Sequence, residues 1–238
     1  MKSSIFVLGA ATFAVAAPAY AETSESDAAG ESDRTIIVTG QHASSEAKRR
    51  ANATPGGTDV VTHEDYADKS LVSLRDALAF SPGVYLQPRY GQEVRISIRG
   101  SGLSRGYHMR GITLLQDGVP INLADDNGDF QELEPIFFDY LEVYRGANAL
   151  RFGSGTLGGA INGVTPTGMT ASGMYLRADT GSFNTWRGLA SYGAASGAGD
   201  VWAAVSYDHS NGDRNHAHRE SLRFHGNVGL QIADGIEN

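Results

Sequence analysis

Alternation is the strongest signal along this chain. From Leu222 to Ile232, the residues Leu222, Phe224, Val228, Leu230 and Ile232 share one face with Gly226, while Arg223, His225, Asn227 and Gln231 share the other. That period of two predicts a strand with one apolar and one polar side. Met174 to Asp179, Trp186 to Tyr192 and Val201 to Asp208 are further candidate strands. A short turn, Ser196-Gly197-Ala198-Gly199, and a longer charged one, Ser210 to Glu220, separate them. Upstream, Val94, Ile96 and Ile98 alternate with Arg95, Ser97 and Arg99 up to Gly100, and Leu141, Val143 and Arg145 alternate with Glu142 and Tyr144 up to Gly146. Ile112 to Leu115 and Val119 to Ile121 flank Asp117-Gly118, a hairpin signal. Val60 to Thr62 and Val84 to Leu86 read as short strands. Leu71, Leu74 and Leu78 lie at helical spacing between Ser70 and Phe80, with Ser73 and Asp76 in capping positions and Ser81-Pro82-Gly83 as the stop. Pro135 opens a short helix, Ile136 to Phe138, and Ala147 to Phe152 is another, made of good helix formers.

The face pattern of the last strands is apolar outside and polar inside, as a transmembrane β-barrel requires. A soluble β-sandwich produces similar alternation. The N-terminus favours the membrane reading. Lys2 is followed by an apolar stretch, Ile5 to Ala17, and then by Ala19-Tyr20-Ala21. This is the layout of a secretory signal peptide cut after Ala21, so residues 1–21 are assigned to it. The apolar stretch is too short for a transmembrane helix. Residues 22–45 are mostly Ser, Glu, Asp, Ala and Gly and are expected to be disordered. Within them Ile36 to Val38 is an isolated β-branched run. It suits pairing with the sheet edge of another protein; an edge strand of this chain's own sheet is the alternative. Gln41 to Gly57, including Lys48-Arg49-Arg50, reads as a polar linker.

Composition narrows the classes. The chain has 238 residues, 41% hydrophobic and 19% charged, with 30 glycines and a net charge of −8. A nucleic-acid binder would present a basic face, so that class is set aside. There is no cysteine, which removes disulfides and thiolate metal sites. Gly153-x-Gly155-x-x-Gly158 has the spacing of a dinucleotide fingerprint, but a helix precedes it and an Ile161-Asn162-Gly163-Val164 strand follows, the reverse of what phosphate cradling needs. These glycines are expected instead to allow tight packing against a surrounding wall.

The stretch from Leu141 to Thr165 resembles the end of the plug domain of TonB-dependent outer-membrane receptors: Arg145-Gly146 after a strand, a short aliphatic helix, Phe152-Gly153, then Gly158-Gly159 before the last plug strand. Ile98-Arg99-Gly100 and Leu115-Gln116-Asp117-Gly118-Val119-Pro120 look like that domain's internal landmarks, in the same order. The resemblance implies an α+β plug domain over residues 46–168, followed over 169–238 by the first antiparallel strands, about four, of an incomplete transmembrane β-barrel. A closed barrel needs at least about 8 strands. The chain is therefore expected to be the N-terminal part of a longer receptor.

The resemblance also assigns candidate sites. Thr35, Ile36, Ile37, Val38 and Thr39 (within about 34–40) resemble the TonB box, which binds TonB and so reaches its inner-membrane energising proteins. Arg99 and Arg145 match two plug arginines that pair with barrel carboxylates, a plug–barrel latch. Two loops are expected to face substrate, one with Arg89, Tyr90 and Gln92 and the other with Asn127, Phe130 and Gln131. Arg89 suits an anionic iron chelate, Tyr90 and Phe130 apolar walls, and Gln131 a hydrogen bond. Asp125, Asp126 and Asp129 do not complete an EF-hand spacing and read as a polar turn. His216-Ala217-His218 reads as a solvated pair. No metal site, cofactor or enzymatic activity is expected. The function implied is energised uptake of an iron chelate, of siderophore or ferric dicitrate type, across the outer membrane of a Gram-negative cell, in contact with outer-membrane lipid. The alternative is a secreted periplasmic binding module without transport.

Overall fold

The computed structural model describes residues 40–102, 110–128, 130–233 and 236–237. The proposed signal peptide and TonB box lie outside them.

The described residues open with a helix where a linker was expected. Helix α1 (Gly40–Ala53) places Ala43, Ala47 and Ala51 one turn apart, and all three pack with Val60, Tyr140 and Val164. Small alanines make a faint apolar stripe, so hydrophobic periodicity misses a helix that propensity favours. The disordered stretch therefore cannot extend to residue 45. Lys48, read as part of a solvated basic run, reaches Thr62 Oγ1 at 3.2 Å and the Asp65 carboxylate at 3.0 Å.

Strand β1 (Gly57–Thr62) leads into α2 (His63–Tyr66) and α3 (Leu74–Leu78). At each helix start an aspartate one turn in accepts a backbone N–H: Asp65 from Thr62 at 2.8 Å, and Asp76 from Ser73 at 2.9 Å. The helix expected over residues 70–80 is thus only Leu74–Leu78, although Leu71, Leu74 and Leu78 are all buried as their spacing predicted. β2 (Val84–Pro88) and β3 (Val94–Ile98) form a separate hairpin. β4 (Ile112–Gln116) and β5 (Val119–Pro120) close around Asp117-Gly118. β6 (Tyr140–Arg145) and β7 (Gly159–Val164) complete a five-stranded sheet of order β1-β6-β7-β4-β5, in which β4 and β7 are parallel. One apolar core gathers Tyr66, Leu74, Ile96, Ile112, Leu114, Leu141 and Ile161.

The segment Gly146–Phe152 is a 3-10 helix, ended by Gly153 at φ +110°, and Pro135–Phe137 is another. In the glycine run, Gly155, Gly158 and Gly159 face close neighbours of the same domain, Asp126, Ser101 and Ile98 among them. A Cβ on Gly159 would strike the Tyr144 carbonyl and come to 2.9 Å from Ile98 Cδ1. The β6–β7 ladder therefore has no room for any other residue there.

After Thr165 the architecture changes to long antiparallel strands: β8 (Gly173–Gly181), β9 (Thr185–Ser196), β10 (Gly199–Ser210), β11 (Arg219–Ala233) and a short β12 (Ile236–Glu237), in the order β12-β11-β10-β9-β8. A transmembrane strand needs about 9–11 residues, and β10 has 12. Outward-facing Met174, Leu176, Trp186, Val201, Leu222, Phe224, Val228 and Leu230 are exposed. Inward-facing Arg187, Asp200, Ser206 and Asp208 are buried. No described helix is long and apolar enough to cross a membrane.

Asp139, just before β6, lines a cavity of about 400 Å³ with His63, Phe138, Tyr175 and Trp202. Burial, helped by the nearby Glu64 carboxylate, raises its pKa from 3.8 to about 6. A carboxyl raised in the folded state stabilises fully below its unfolded pKa, and that contribution is lost as pH climbs through about 6. Asp139→Asn should therefore raise the thermal midpoint at about pH 7.5 by roughly 2–8 °C, from about 1–2 kcal/mol after allowing for solvent screening, and change nothing below about pH 4. Circular dichroism melts at the two pH values check this; an equal shift at both would remove the charge argument.

Candidate functional site

The inner face of the β8–β11 sheet is polar by sequence, and the plug satisfies it. β9 presents Arg187 inward and β10 presents Ser206 and Asp208, with Arg223 and His225 beside them on β11. The run Glu132-Leu133-Glu134-Pro135 comes from the plug, with Leu133 buried in its core and the 3-10 turn starting at Pro135. This fixes Glu134 at the sheet. Its carboxylate accepts a close hydrogen bond from Arg187 Nη2, a second from Arg223 Nη1 at 2.8 Å, and a third from Ser206 Oγ at 3.4 Å. The Arg187 and Glu134 side chains are 1% and 3% exposed. Two arginines on one carboxylate, Arg187 buried and Arg223 partly exposed, make a charge-assisted junction. Neither residue type carries burial by itself, so each is held there by the other.

Arg223 extends the junction. Its Nη2 donates to Gln92 Oε1 at 2.6 Å, and its Nη1 also reaches the Gln131 carbonyl at 3.1 Å. Gln92 and Gln131, expected on two separate substrate loops, therefore meet at one barrel arginine. Tyr90 Oη donates to the His218 carbonyl at 3.0 Å. This places the Arg89–Gln92 loop at the sheet end that carries the Asn211–His218 connection. Arg89 pairs with Glu93 at 2.8 Å. Asn127 sits in its own turn, where Asp125 accepts from its backbone N–H at 3.2 Å and from its side chain, and Arg110 Nε donates to it at 3.3 Å. That geometry is the polar turn expected of the acidic cluster. Asp129 and the Phe130 side chain fall outside the described residues.

Further contacts seat the plug. Arg177 of β8 donates to the Ala67 carbonyl at 2.8 Å and, closely, to that of Lys69. His225 stacks on Phe137, with ring centroids 5.3 Å apart, and its Nε2 lies 3.1 Å from Thr165 Oγ1 and 3.3 Å from Gln116 Nε2. Trp202 and Leu189 join the plug core.

Arg99 and Arg145 are brought together, but away from this junction. Both guanidinium groups crowd Gly57, and Arg145 Nη1 donates to the Pro82 carbonyl at 2.6 Å. Arg99 is exposed, at φ +53°. Among the described residues neither pairs with a carboxylate; the plug–barrel ion pair formed here has the opposite polarity, acid on the plug and arginines on the wall. Sequence reading missed Glu134 and Arg187. The available signal was Arg187 in the row opposite Trp186, a cation that must find an acid once the row turns inward.

Comparison with known proteins agrees with this geometry. The TonB-dependent Receptor Plug Domain model matches residues 50–160. The vitamin B12 transporter BtuB of Vibrio vulnificus (strain CMCP6) is 25% identical over 158 residues, covering 63% of this chain and 25% of its own length. The ferric-pyoverdine 358 receptor of Pseudomonas putida is 27% identical over 134 residues, covering 56% of this chain and 16% of its own. The chain thus spans a quarter or less of the length of these relatives. The solved siderophore receptor PirA from Acinetobacter baumannii superposes with a TM-score of 0.58 at 20% identity, over 79% of this chain and 31% of that one. Residues 50–160 thus match the plug domain of TonB-dependent receptors, and the β1–β7 domain seated on the polar face of long amphipathic strands shares the fold of a solved siderophore receptor.

Proposed function

We propose that this chain works in energised uptake of an iron chelate, of siderophore or ferric dicitrate type, as part of a TonB-dependent receptor in the outer membrane of a Gram-negative cell. The observation that carries the reading is the junction at Glu134: a plug fixed by buried ion pairs to the inner face of membrane-length strands is a closure, and a closure in a wall implies passage. Thr35 to Thr39 serve as the segment that TonB grips, and TonB carries the work of the inner-membrane energising proteins. The exposed apolar row of β8–β11 faces outer-membrane lipid, which a secreted periplasmic module would not need. Arg89, Tyr90, Gln92, Asn127, Phe130 and Gln131 serve at the substrate side. Arg99 and Arg145 serve as a latch for carboxylates elsewhere on the barrel. No bond is made or broken, so the protein is a transporter component and not an enzyme. Iron as cargo is supported by the ferric-pyoverdine receptors among the relatives.

The test is uptake by a strain deleted for the gene and complemented with it, supplied with radioiron on a panel of ferric chelates and, separately, with labelled cobalamin. Saturable uptake of one ferric chelate and none of cobalamin is expected. Uptake of cobalamin alone would overturn iron as the cargo.

A further inference from the structure

His218 does not act with His216, its neighbour in sequence. In the antiparallel pair β10–β11, His209 stands directly opposite Glu220, so their side chains share a face. His218 lies two residues before Glu220 and projects to the same side. The three side chains place one ligand atom each within 4.8 Å of one another, and the two imidazole rings meet edge to face with centroids 5.1 Å apart. This face is the outer one, shared with Tyr207, Leu222 and Phe224, at the sheet end where Tyr90 meets His218. It is separate from the plug junction.

Neighbours hold two of the three ligands. Trp186 Nε1 donates to Asn184 Oδ1 at 2.8 Å, which turns the Asn184 amide nitrogen toward His209 Nε2, 3.3 Å away. With that amide nitrogen donating, Nε2 is unprotonated; a metal bound there displaces the Asn184 hydrogen bond, because the nitrogen has one lone pair. Tyr207 Oη donates to Glu220 Oε1 at 3.1 Å, the kind of outer partner that orients a ligating carboxylate. His218 and Glu220 are exposed, free to close by about 1.5 Å to the ligand spacing that bonds of about 2.0 Å require.

From this geometry we propose that His209, His218 and Glu220 bind a divalent transition-metal ion of the zinc class at the rim of the barrel wall, pinning the Asn211–His218 connection to β10. Two imidazoles and one carboxylate suit Zn²⁺, Ni²⁺ or Cu²⁺, whereas Mg²⁺ and Ca²⁺ want oxygen ligands. Three protein ligands leave one tetrahedral position for water. The site does not depend on what the receptor carries.

The experiment is a zinc titration, by calorimetry, of the full chain in detergent after chelator treatment, with circular dichroism confirming a folded sheet. One zinc per chain is expected. His209→Gln and His218→Gln should each weaken it by more than the roughly 10–100-fold that loss of a ligand's hydrogen-bond partner costs, and His216→Gln should leave it unchanged. X-ray absorption should show nitrogen and oxygen ligands at about 2.0 Å. No zinc binding by the folded chain, or binding indifferent to His209→Gln, overturns the site. All three histidines are partly or fully exposed, so the substitutions do not disturb packing.

Discussion

Glu134→Ala is expected to lower the thermal midpoint of the chain in detergent by roughly 6–20 °C, the largest stability effect of any single substitution considered. Alanine strips the acid from Arg187, whose side chain is 1% exposed and whose Nε and Nη1 have no other partner among the described residues. Breaking a buried pair by removing one partner costs about 3–5 kcal/mol, because the charge left behind is uncompensated. For a chain of this size each kcal/mol is worth about 2–4 °C. Arg223→Ala leaves Glu134 paired with Arg187 and Ser206, so it should cost less than Glu134→Ala. The double substitution Glu134→Leu with Arg187→Met removes both charges and should recover most of the loss. Thermal melts of the single and double variants decide the matter. If the double variant is as unstable as Glu134→Ala, packing at the site and not the orphaned charge carries the effect.

Deletion of Thr35 to Thr39 is expected to abolish iron-chelate uptake in the complemented strain while leaving chelate binding at the cell surface within about twofold of the intact receptor. The reason is a division of labour along the chain. The groups proposed for the substrate side, Tyr90, Gln92 and Gln131, are fixed by contacts to β11 and the loop before it. None of those contacts involves the first 39 residues. In the proposed function energy enters instead through a segment that pairs with an outside strand, and a short β-branched run can do so by backbone hydrogen bonds alone. Binding and transport should therefore separate cleanly. Radioiron binding at low temperature and uptake at growth temperature measure the two; uptake unchanged by the deletion would remove the box assignment.

Much of the architecture was legible before any coordinates. The β11 alternation of Leu222, Phe224, Val228 and Leu230 against Arg223, His225 and Asn227 survives residue for residue in the exposure pattern, because a strand has a strict period of two and only one face can meet lipid. The Asp117-Gly118 hairpin and the Leu71, Leu74, Leu78 core positions were readable for the same kind of local reason. Helix α1 was not, because its buried stripe is made of alanines in a polar, charged segment. Nor was the true length of α3, since Leu71 reaches the core from outside the helix.

The site divides along a different line. That Arg187 and Arg223 would need acids follows from placing cations on an inward row. Which acid answers them does not: Glu134 and Arg187 are 53 residues apart, and nothing local marks Glu134 over Glu132. Likewise His216 and His218 invited pairing by proximity, whereas strand register joined His218 to His209 and Glu220. Sequence by itself determined the periods, the turns and the face each residue occupies, because these depend on φ, ψ and side-chain type within a few residues. Tertiary structure alone decided the partners, because a buried charge takes whichever opposite charge the fold delivers within hydrogen-bond reach, and that delivery is set by how the plug sits on the sheet.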